Sequence, residues 1–448
     1  MRRWQGLDRS PSGPTELEEW DLSVLPATIS GMTELDIEFV RNQFEVFDDP
    51  ERASWANFEN AGGSYVPRQV TDRLNHLFTK VKVQPYGLGP QATEAGEAMD
   101  RSRQALADMI NAELGELSVG PSTSQNTYVL AAALRPEMAT GDEVVVTNQD
   151  HEANSGVWRR LADTGIIVRE WGVDPATGLL DVADLNQLLS DRTKLVCLPH
   201  CSNIAGTVNA VGEVAALARS VGGRTVVDGV AWAPHAYVDV KALDVDFYLF
   251  STYKTYGPHL GVLYAKAEHL ERVANQGHFF NEAKLTSRLT PAGPQHVELG
   301  AAEGIVEYFL DLDTHHFGGR SEADGVGAAL ERVFGLFAEH EQMVMTPILD
   351  VLNERSDVQV VGATRADRSV RAPTIAFRSS TRTSAEIVSD LIAAKISCAN
   401  DHFYAYRLLQ AMNIDVDDGV VRLSAVHYNT VDEAERVALA LESALPLS

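Results

Sequence analysis

The chain has 448 residues, 45% of them hydrophobic, and a formal net charge of −26 at pH 7. This length suffices for a large core and favours two or three domains. The strongly acidic balance argues against partners such as nucleic acid or an anionic membrane surface.

Cysteine use and hydrophobicity indicate the compartment. Cys197, Cys201 and Cys398 form no CxxC pair, so a disulfide framework is not expected, and a reducing cytoplasm fits. No apolar segment of a signal peptide follows the basic start, and no apolar run approaches the ~18 residues of a membrane helix. We therefore expect a cytoplasmic protein, and we predict no metal site.

The first third of the chain contains an arm, helices and two glycine-rich breaks. Residues 1 to about 30 are rich in Pro, Ser, Gly and Glu and predict an arm, and residues 34–46 have helical spacing. The extended segment 58–67 breaks at Gly62-Gly63, where backbone can approach a ligand closely, although an ordinary loop is the alternative. A helix is predicted at 96–114.

The next break precedes an apolar helix at 128–134 and carries three consecutive hydroxyl residues, Ser122, Thr123 and Ser124. Hydroxyl residues at a helix start act as caps. The same geometry presents free N–H groups and the positive end of the helix dipole to a phosphate. Plain capping is the alternative, but the Gly-Pro entry at residues 120–121 favours the phosphate interpretation.

From residue 143 onward, strands and helices alternate. Strands are predicted at 143–147, 166–171, 193–199, 224–228 and 246–250, and helices at 154–164, 181–189 and 211–221. This order implies a mostly parallel sheet with helices on both faces, whose ligands bind beyond the carboxyl ends of the strands. Polar residues follow several of these ends, namely His151, Asn203, Asp228 and Lys254.

The pattern changes from about residue 320 onward. Helices are predicted at 325–341, 344–356, 384–393 and 431–445, and strands at 358–361, 374–378 and 420–424. This order of elements is typical of a smaller α+β layer.

Lys254 follows the strand at 246–250 and precedes a Gly-Pro breaker. Burial lowers the pKa of a lysine, and the neutral amine can form a Schiff base with an aldehyde. The alternative is a lysine whose stem is buried and whose charged end reaches water.

Lys254 and Asp228 together match the needs of an electron-sink cofactor such as pyridoxal phosphate. The lysine would bind the aldehyde, and the carboxylate would keep the pyridine nitrogen protonated. The phosphate would need a helix start and hydroxyls, and a flat side chain would stack on the ring. The candidates for these two roles are Thr123, Ser124 and Ser251 for the phosphate and His151 for the ring. As alternatives, Asp228 would be a turn residue and His151 the start of the next helix.

Several motifs are similar to those of the class V, fold type I pyridoxal-phosphate enzymes, in the cysteine desulfurase-like branch. They are the segments Asp150-His151-Glu152-Ala153-Asn154, Ser202-Asn203-Ile204-Ala205-Gly206-Thr207, Val227-Asp228-Gly229, Ser251-Thr252-Tyr253-Lys254-Thr255-Tyr256-Gly257-Pro258, and Val421-Arg422-Leu423-Ser424 with His427-Tyr428-Asn429-Thr430. The resemblance covers about residues 55–445. It implies a mostly parallel sheet of the seven-stranded type flanked by helices, plus a smaller C-terminal α+β domain.

The resemblance also implies the domain organisation. We predict an arm at 1–30, a segment at 31–58 that joins the small domain, a large cofactor-binding domain at 59–315 and the small domain at 316–448. It further implies an amino-acid substrate and a homodimer with shared active sites, in which the segment 290–295 resembles the stretch that reaches the partner's phosphate site.

Residue roles follow from the resemblance in the same way. Lys254 is the Schiff-base lysine, Asp228 the partner of the pyridine nitrogen, and His151 the stacking ring. Asn203 contacts the cofactor hydroxyl, and Thr123, Ser124 and Ser251 bind the phosphate. Arg422 holds the substrate α-carboxylate, because a guanidinium suits that group.

The departures from the family pattern concern the reaction. Tyr253 replaces the histidine that usually precedes the lysine in desulfurases, and no glutamine follows Asp228-Gly229. In the loop 399–405, Tyr404 stands about where the sulfur-accepting cysteine should be, and Cys398 comes several residues too early. Because desulfuration needs a thiolate at the substrate sulfur, we predict that no persulfide forms.

The substrate pocket is less defined. Its candidates are Asn60, Gly62, Tyr65, Tyr86, His402, Phe403 and Tyr404, with ordinary packing as the alternative for each aromatic residue. Tyr253 or Tyr404 could serve as an acid opposite the lysine.

The expected function is that of a pyridoxal-phosphate-dependent lyase or transferase acting at Cα or Cβ of an amino acid. We favour a cysteine-derived substrate or cysteine S-conjugate, processed by β-elimination or by decarboxylation with deamination. The alternatives are a class V aminotransferase, an epimerase similar to isopenicillin N epimerase, a non-catalytic cofactor-binding regulator, and a scaffold without cofactor. The presence of both Lys254 and Arg422 favours an enzyme.

Overall fold

The computed structural model describes residues 34–321 and 324–445, so the predicted arm at 1–30 lies outside the described residues. The helices are α1 (Ile37–Arg41), α2 (Pro50–Ala53), α3 (Arg68–Lys80), α4 (Pro90–Met109), α5 (Thr123–Leu134), α6 (Glu152–Arg159), α7 (Val182–Leu188), α8 (Val211–Ser220), α9 (Val240–Leu243), α10 (Ala267–Leu270), α11 (His296–Ala301), α12 (Glu303–Phe317), α13 (Val326–Asn353), α14 (Ser384–Ala393), α15 (Tyr406–Ala411) and α16 (Val431–Ala444). The strands are β1 (Ala56–Asn57), β2 (Leu117–Gly120), β3 (Glu143–Thr147), β4 (Ile167–Trp171), β5 (Thr193–Pro199), β6 (Arg224–Asp228), β7 (Phe247–Ser251), β8 (Gly261–Ala265), β9 (Val358–Val361), β10 (Thr374–Ser379), β11 (Ile396–Ser397), β12 (Ala399–Asp401) and β13 (Val420–Ser424).

The central sheet has seven strands in the order β2-β8-β7-β6-β5-β3-β4. The pairs from β7 to β4 are parallel, and β8 is antiparallel to both of its neighbours. This confirms the predicted fold class. The carboxyl ends of β3, β5, β6 and β7 therefore meet along one edge of the sheet, where ligands of such sheets bind.

Both faces of the sheet are covered by helices. Successive side chains of a strand point to opposite faces, and here they enter two separate cores. Val145 packs with residues of α4, α8 and α12, whereas its neighbours Val144 and Val146 pack with residues of α5 and α6. Because both faces are buried, the strands appear in the sequence as continuous apolar runs rather than as alternating patterns.

A second sheet lies in the C-terminal part of the chain, with antiparallel strands in the order β12-β13-β10-β9. Its apolar face packs on α13, α14 and α16. The short strand β1 pairs with β11, which brings the segment before the large sheet to this part of the chain. The predicted domain boundary at residue 315 stays a prediction.

The structure corrects several predicted elements. The two helices predicted at 325–341 and 344–356 are one helix, α13, because Phe337, Val344 and Ile348 continue the same buried stripe. The helix predicted at 96–114 is α4, which begins with Pro90 in its first turn and ends at Met109. The helix predicted at 34–46 is limited to α1, and strands β2 and β8 had no prediction.

Among the described residues, no helix combines the length and apolar character that crossing a bilayer requires.

Candidate active site

A cavity opens where the carboxyl ends of β3, β5, β6 and β7 meet the start of α5. Its lining consists of Ser122, Thr123, Ser124, Asp150, His151, Ala153, Pro199, Cys201, Asn203, Asp228, Val230, Ala231, Ser251, Tyr253, Lys254 and His259. The structure thus brings together eight of the residues predicted for this site: Thr123, Ser124, His151, Asn203, Asp228, Ser251, Tyr253 and Lys254.

Lys254 ends a short 3₁₀ turn directly after β7. Burial and the nearby Arg422 charge lower the pKa of its amine to about 8, although the charges of Asp228 and Glu59 partly oppose the shift. Near neutral pH a larger fraction of this amine is therefore unprotonated than in an ordinary lysine, as a nucleophile or a base requires.

Asp228 is the last residue of β6 and shares the cavity with Lys254. Its Oδ1 accepts the Val230 N–H at 2.9 Å, so it also has the turn role considered as the alternative. Gly229 is needed beside it, because a Cβ there would lie 2.1 Å from the Tyr248 ring. The turn at Val230 and the neighbouring strand β7 therefore hold the carboxylate at a fixed place.

Asp150 is a second buried carboxyl in the same cavity, which the sequence showed only as part of a motif. Its Oδ2 accepts a hydrogen bond from Asn154 at 2.7 Å, and its Oδ1 has no partner among the described residues. Burial raises the pKa of both carboxyls, and the charge of Asp228 raises the pKa of Asp150 further. Repulsion from the Asp228 carboxylate therefore favours the protonated form of Asp150.

His151 is the N-cap of α6 and also lines the cavity. Its Nδ1 accepts the Ala153 N–H at 3.1 Å, so in the neutral ring the proton is on Nε2. Burial, with the charges of Lys254 and Arg422, lowers the pKa of this imidazole to about 3. The ring is therefore uncharged near neutral pH and suited to stacking.

The start of α5 forms a cradle of backbone N–H groups. Ser122 caps the helix by accepting the Gln125 N–H at 3.2 Å, and the first N–H groups of a helix have no acceptor within it. The Thr123 hydroxyl donates to the Phe250 carbonyl at 3.0 Å, so its N–H rather than its side chain is free for an anion. A Cβ on Gly261 would lie 2.3 Å from this backbone, which explains the glycine.

His259 completes this side of the cavity and was missed by the sequence interpretation. Its Nδ1 lies 3.0 Å from the Pro121 carbonyl, and its ring stacks on Tyr253 with centroids 4.6 Å apart. The only signal in the sequence was its position directly after Gly257-Pro258.

Arg422 is buried beside the cavity and is already paired. Its Nη2 lies 2.6 Å from Glu59 Oε1, and its guanidinium carbon lies 3.7 Å from the centroid of the Phe403 ring. Glu59 was not predicted as a site residue. Gly62 lies next to Glu59, because a Cβ on Gly62 would be 3.0 Å from the Glu59 carboxylate.

The loop 401–405 covers this side of the site with an unusual backbone. Phe403 and Tyr404 both have positive φ, +46° and +60°, which bulky residues rarely adopt. The Asn203 amide donates to the Phe403 carbonyl at 2.8 Å, and the Glu152 N–H donates to the Tyr404 carbonyl at 2.8 Å. These bonds hold the Tyr404 ring 5.1 Å from the His151 ring, with 64% of Tyr404 exposed.

Four candidates for the substrate pocket have other contacts. The Asn60 amide is fully used by Asn57, Ser424, Tyr428 and Asn429, which gives it a structural role. Tyr65 stacks on Tyr428, Tyr86 is exposed and donates to Asp100, and His402 accepts the Tyr404 N–H. Each of these side chains thus has a protein partner, and their assignment to the substrate pocket stays a prediction.

The arrangement fits pyridoxal phosphate. Asn203 Oδ1 and Asp150 Oδ1 are buried oxygens without a partner among the described residues, and both residues line the cavity. The helix start at Thr123 suits a phosphate, and Asp228 suits a protonated ring nitrogen. Lys254 would hold the aldehyde, and His151 would cover the ring.

Comparisons with known proteins agree with this geometry. Residues 56–305 match the family model for aminotransferase class-V. An aminotransferase-like protein of Gibberella zeae is 34% identical over 91% of this chain and 98% of its own length. A cysteine desulfurase of Serratia proteamaculans is 30% identical over 91% of this chain and 97% of its own length.

Solved structures show the same fold. A cysteine desulfurase from Escherichia coli superposes with a TM-score of 0.76 at 22% identity, covering 92% of this chain and 98% of that one. Members of the matched family use pyridoxal phosphate. The chain therefore belongs to the class-V aminotransferase family and is a pyridoxal-phosphate-dependent enzyme with the type I fold.

Proposed function

We propose that this enzyme removes the Cα proton of a cysteine-derived amino acid or cysteine S-conjugate and eliminates its sulfur group without forming a persulfide. The observation that carries the proposal is the loop 401–405, which holds the Tyr404 ring rather than a thiol beside His151. A desulfurase requires a cysteine thiolate that attacks the sulfur of the substrate.

The cysteines of the chain support the same conclusion, since all three are buried. Cys201 lines the cavity, but its thiol donates to the Gly206 carbonyl at 3.1 Å, and burial raises its pKa to about 12. Burial also raises the pKa of Cys398 to about 12. Thiols of this kind stay protonated near neutral pH and are poor nucleophiles.

In the proposed mechanism, Lys254 is the base at Cα and Arg422 orients the α-carboxylate. Bound pyridoxal phosphate would supply an electron sink for the negative charge that develops at Cα. Asp228 would hold the proton of the ring nitrogen, and the neutral His151 would cover the ring face. Burial raises the pKa of Tyr253, so its phenol keeps a proton that it can donate to the departing sulfur.

The test uses protein loaded with pyridoxal phosphate and S-methyl-L-cysteine. Elimination with water yields methanethiol, pyruvate and ammonium in equal amounts, each measured directly. We expect Lys254→Ala to lose both this reaction and the visible absorption of the lysine-bound cofactor. Protein-bound persulfide and alanine formed from L-cysteine would refute the proposal.

Other products would identify the alternatives. A keto acid that retains its sulfur would indicate transamination, an inverted amino acid would indicate epimerisation, and carbon dioxide with ammonium would indicate decarboxylation with deamination.

We further propose a homodimer, as the family resemblance implies, and the cytoplasm as its compartment, which suits three free thiols. An apolar groove between residues 119–129 and 289–295 supports the first proposal, because it includes the segment expected to reach a partner.

A further inference from the structure

A second, smaller cavity lies next to the proposed active site. It shares Lys254, Val230 and Ala231 with the first cavity. The rest of its lining is Asn60, Ala61, Pro234, His235, Thr374 and Val426. The space suits about one water molecule. Among the described residues that line it, Lys254 and His235 are the ones whose side chains carry a basic nitrogen.

His235 is held by a buried carboxyl on α13. Its Nδ1 lies 3.0 Å from Glu341 Oε1, and 8% of His235 and 2% of Glu341 are exposed. Burial raises the pKa of the Glu341 carboxyl, and the charge of His235 opposes this shift. The bond to Glu341 engages Nδ1, which leaves Nε2 as the ring nitrogen available to the cavity.

The other buried histidines nearby differ from His235. His427 has both ring nitrogens bonded, to the hydroxyls of Tyr308 and Tyr256, at 2.6 and 3.1 Å. His340 bonds the Asn429 carbonyl at 2.6 Å. The titratable groups near His235 are Glu341, Lys254 across the cavity, His427, and Tyr256, whose hydroxyl donates to the adjacent Pro234 carbonyl. Of the three histidines, only His235 lines a cavity with Lys254.

We propose that His235, oriented by Glu341, is a positioning residue that relays protons between Lys254 and solvent through one water in this cavity. The ammonium of Lys254, carrying the proton taken from Cα, gives a proton to the water. The water gives one of its own protons to His235 Nε2, and the Glu341 carboxylate stabilises the imidazolium. These transfers leave Lys254 as the neutral amine, and the imidazolium then releases its proton to solvent; the same steps in reverse return a proton to Lys254. This inference rests on the proposed role of Lys254 as the base.

The test measures exchange of the Cα hydrogen of L-alanine in D₂O, by NMR, with protein loaded with pyridoxal phosphate. L-Alanine has no leaving group at Cβ, so exchange reports proton movement alone. We expect His235→Ala to slow exchange at least tenfold while the visible absorption of the cofactor is retained. Added imidazole should restore part of the rate, because the substitution enlarges the cavity, whereas a merely structural role predicts no such rescue.

Glu341→Gln keeps the packing and removes the charge, and it should slow exchange as well. His340→Gln is the matched control, because His340 is equally buried but bonds a backbone carbonyl, and its exchange rate should stay at the parental value. Thermal unfolding shows whether each variant is folded.

A folded His235→Ala with the parental exchange rate would overturn the relay. If that variant does not fold, a parental rate in Glu341→Gln would overturn it instead. Failure of the proposed function can be distinguished from failure of the relay. In that case the parent protein itself would neither exchange the Cα hydrogen nor show the absorption of the lysine-bound cofactor.

Discussion

Arg422 meets two partners of different kinds, the Glu59 carboxylate at 2.6 Å and the face of the Phe403 ring. A guanidinium that is only 3% exposed needs a counter-charge, and Glu59 supplies it. Glu59 therefore lies where the family resemblance would put the substrate carboxylate. A substrate must share the guanidinium with this resident carboxylate or displace it.

Glu59→Gln should therefore tighten binding of a simple amino acid. We expect the dissociation constant of L-alanine, measured from the visible spectrum of the cofactor-loaded protein, to fall about tenfold, which is about 1.4 kcal/mol. Glu51→Gln, an exposed glutamate on α2, is the control and should have no effect. Unchanged or weaker binding in Glu59→Gln would show that the two carboxylates do not compete.

At the scale of elements, the start of helix α5 and the strand β8 together form the proposed phosphate cradle. Gly261→Ala should push the backbone at Ser122 and Thr123 outward, since the added Cβ would lie 2.3 Å from it. We expect affinity for pyridoxal phosphate, measured by equilibrium dialysis, to fall at least tenfold. Gly115→Ala is the control, because a Cβ there meets nothing within 4 Å. Equal affinity of the two variants would exclude the cradle as the phosphate site.

Strands β3 and β4 are joined by a charge cluster around Glu143. Arg169 at 2.7 Å, Arg192 at 2.8 Å and Ser190 at 2.7 Å all bond this buried carboxylate. These contacts, led by the hydrogen bond from Arg169, lower the pKa of Glu143 to about 2. Because the pKa is lower in the folded state, the contribution is complete above about pH 4.5 and is lost as the pH falls towards 2.

Glu143→Gln should lower the free energy of unfolding at pH 7 by about 2 kcal/mol, a value reduced for the exposure of both arginines. Near pH 2 the substituted and parental proteins should converge. Urea unfolding at several pH values measures this, and a difference that does not shrink in acid would contradict the assignment.

At the scale of the whole molecule, the net charge of −26 affects association. Phe279 and Phe280 are 84% and 68% exposed, an unusual pair for a free surface. We expect sedimentation to give twice the chain mass at physiological ionic strength and partial dissociation at low salt, where repulsion between the chains is less screened. Phe280→Asp should give monomer, whereas Leu439→Asp on α16, also exposed, should not. A monomeric parent at every salt concentration would refute the dimer.

Much of the large sheet was predictable from sequence, because its strands are buried on both faces and stand out as apolar runs. Strands at 143–147, 193–199 and 224–228 were predicted with the observed bounds. Strand β8 was not, since it follows Lys254 closely and pairs antiparallel, outside the alternating pattern. The continuity of α13 past residue 341 was also missed, because only packing shows that its buried stripe continues.

The sequence by itself determined the family and the cofactor chemistry, since Lys254, Asp228 and His151 stand at strand ends and their neighbours form recognisable motifs. Only the tertiary structure decided which side chains are free to act. It paired Arg422 with Glu59, satisfied the Asn60 amide within the protein, and placed His235 on a cavity with Lys254. The reason is physical: charge state and hydrogen-bond capacity depend on burial and on partners that are distant in sequence, up to 363 residues apart for Glu59 and Arg422.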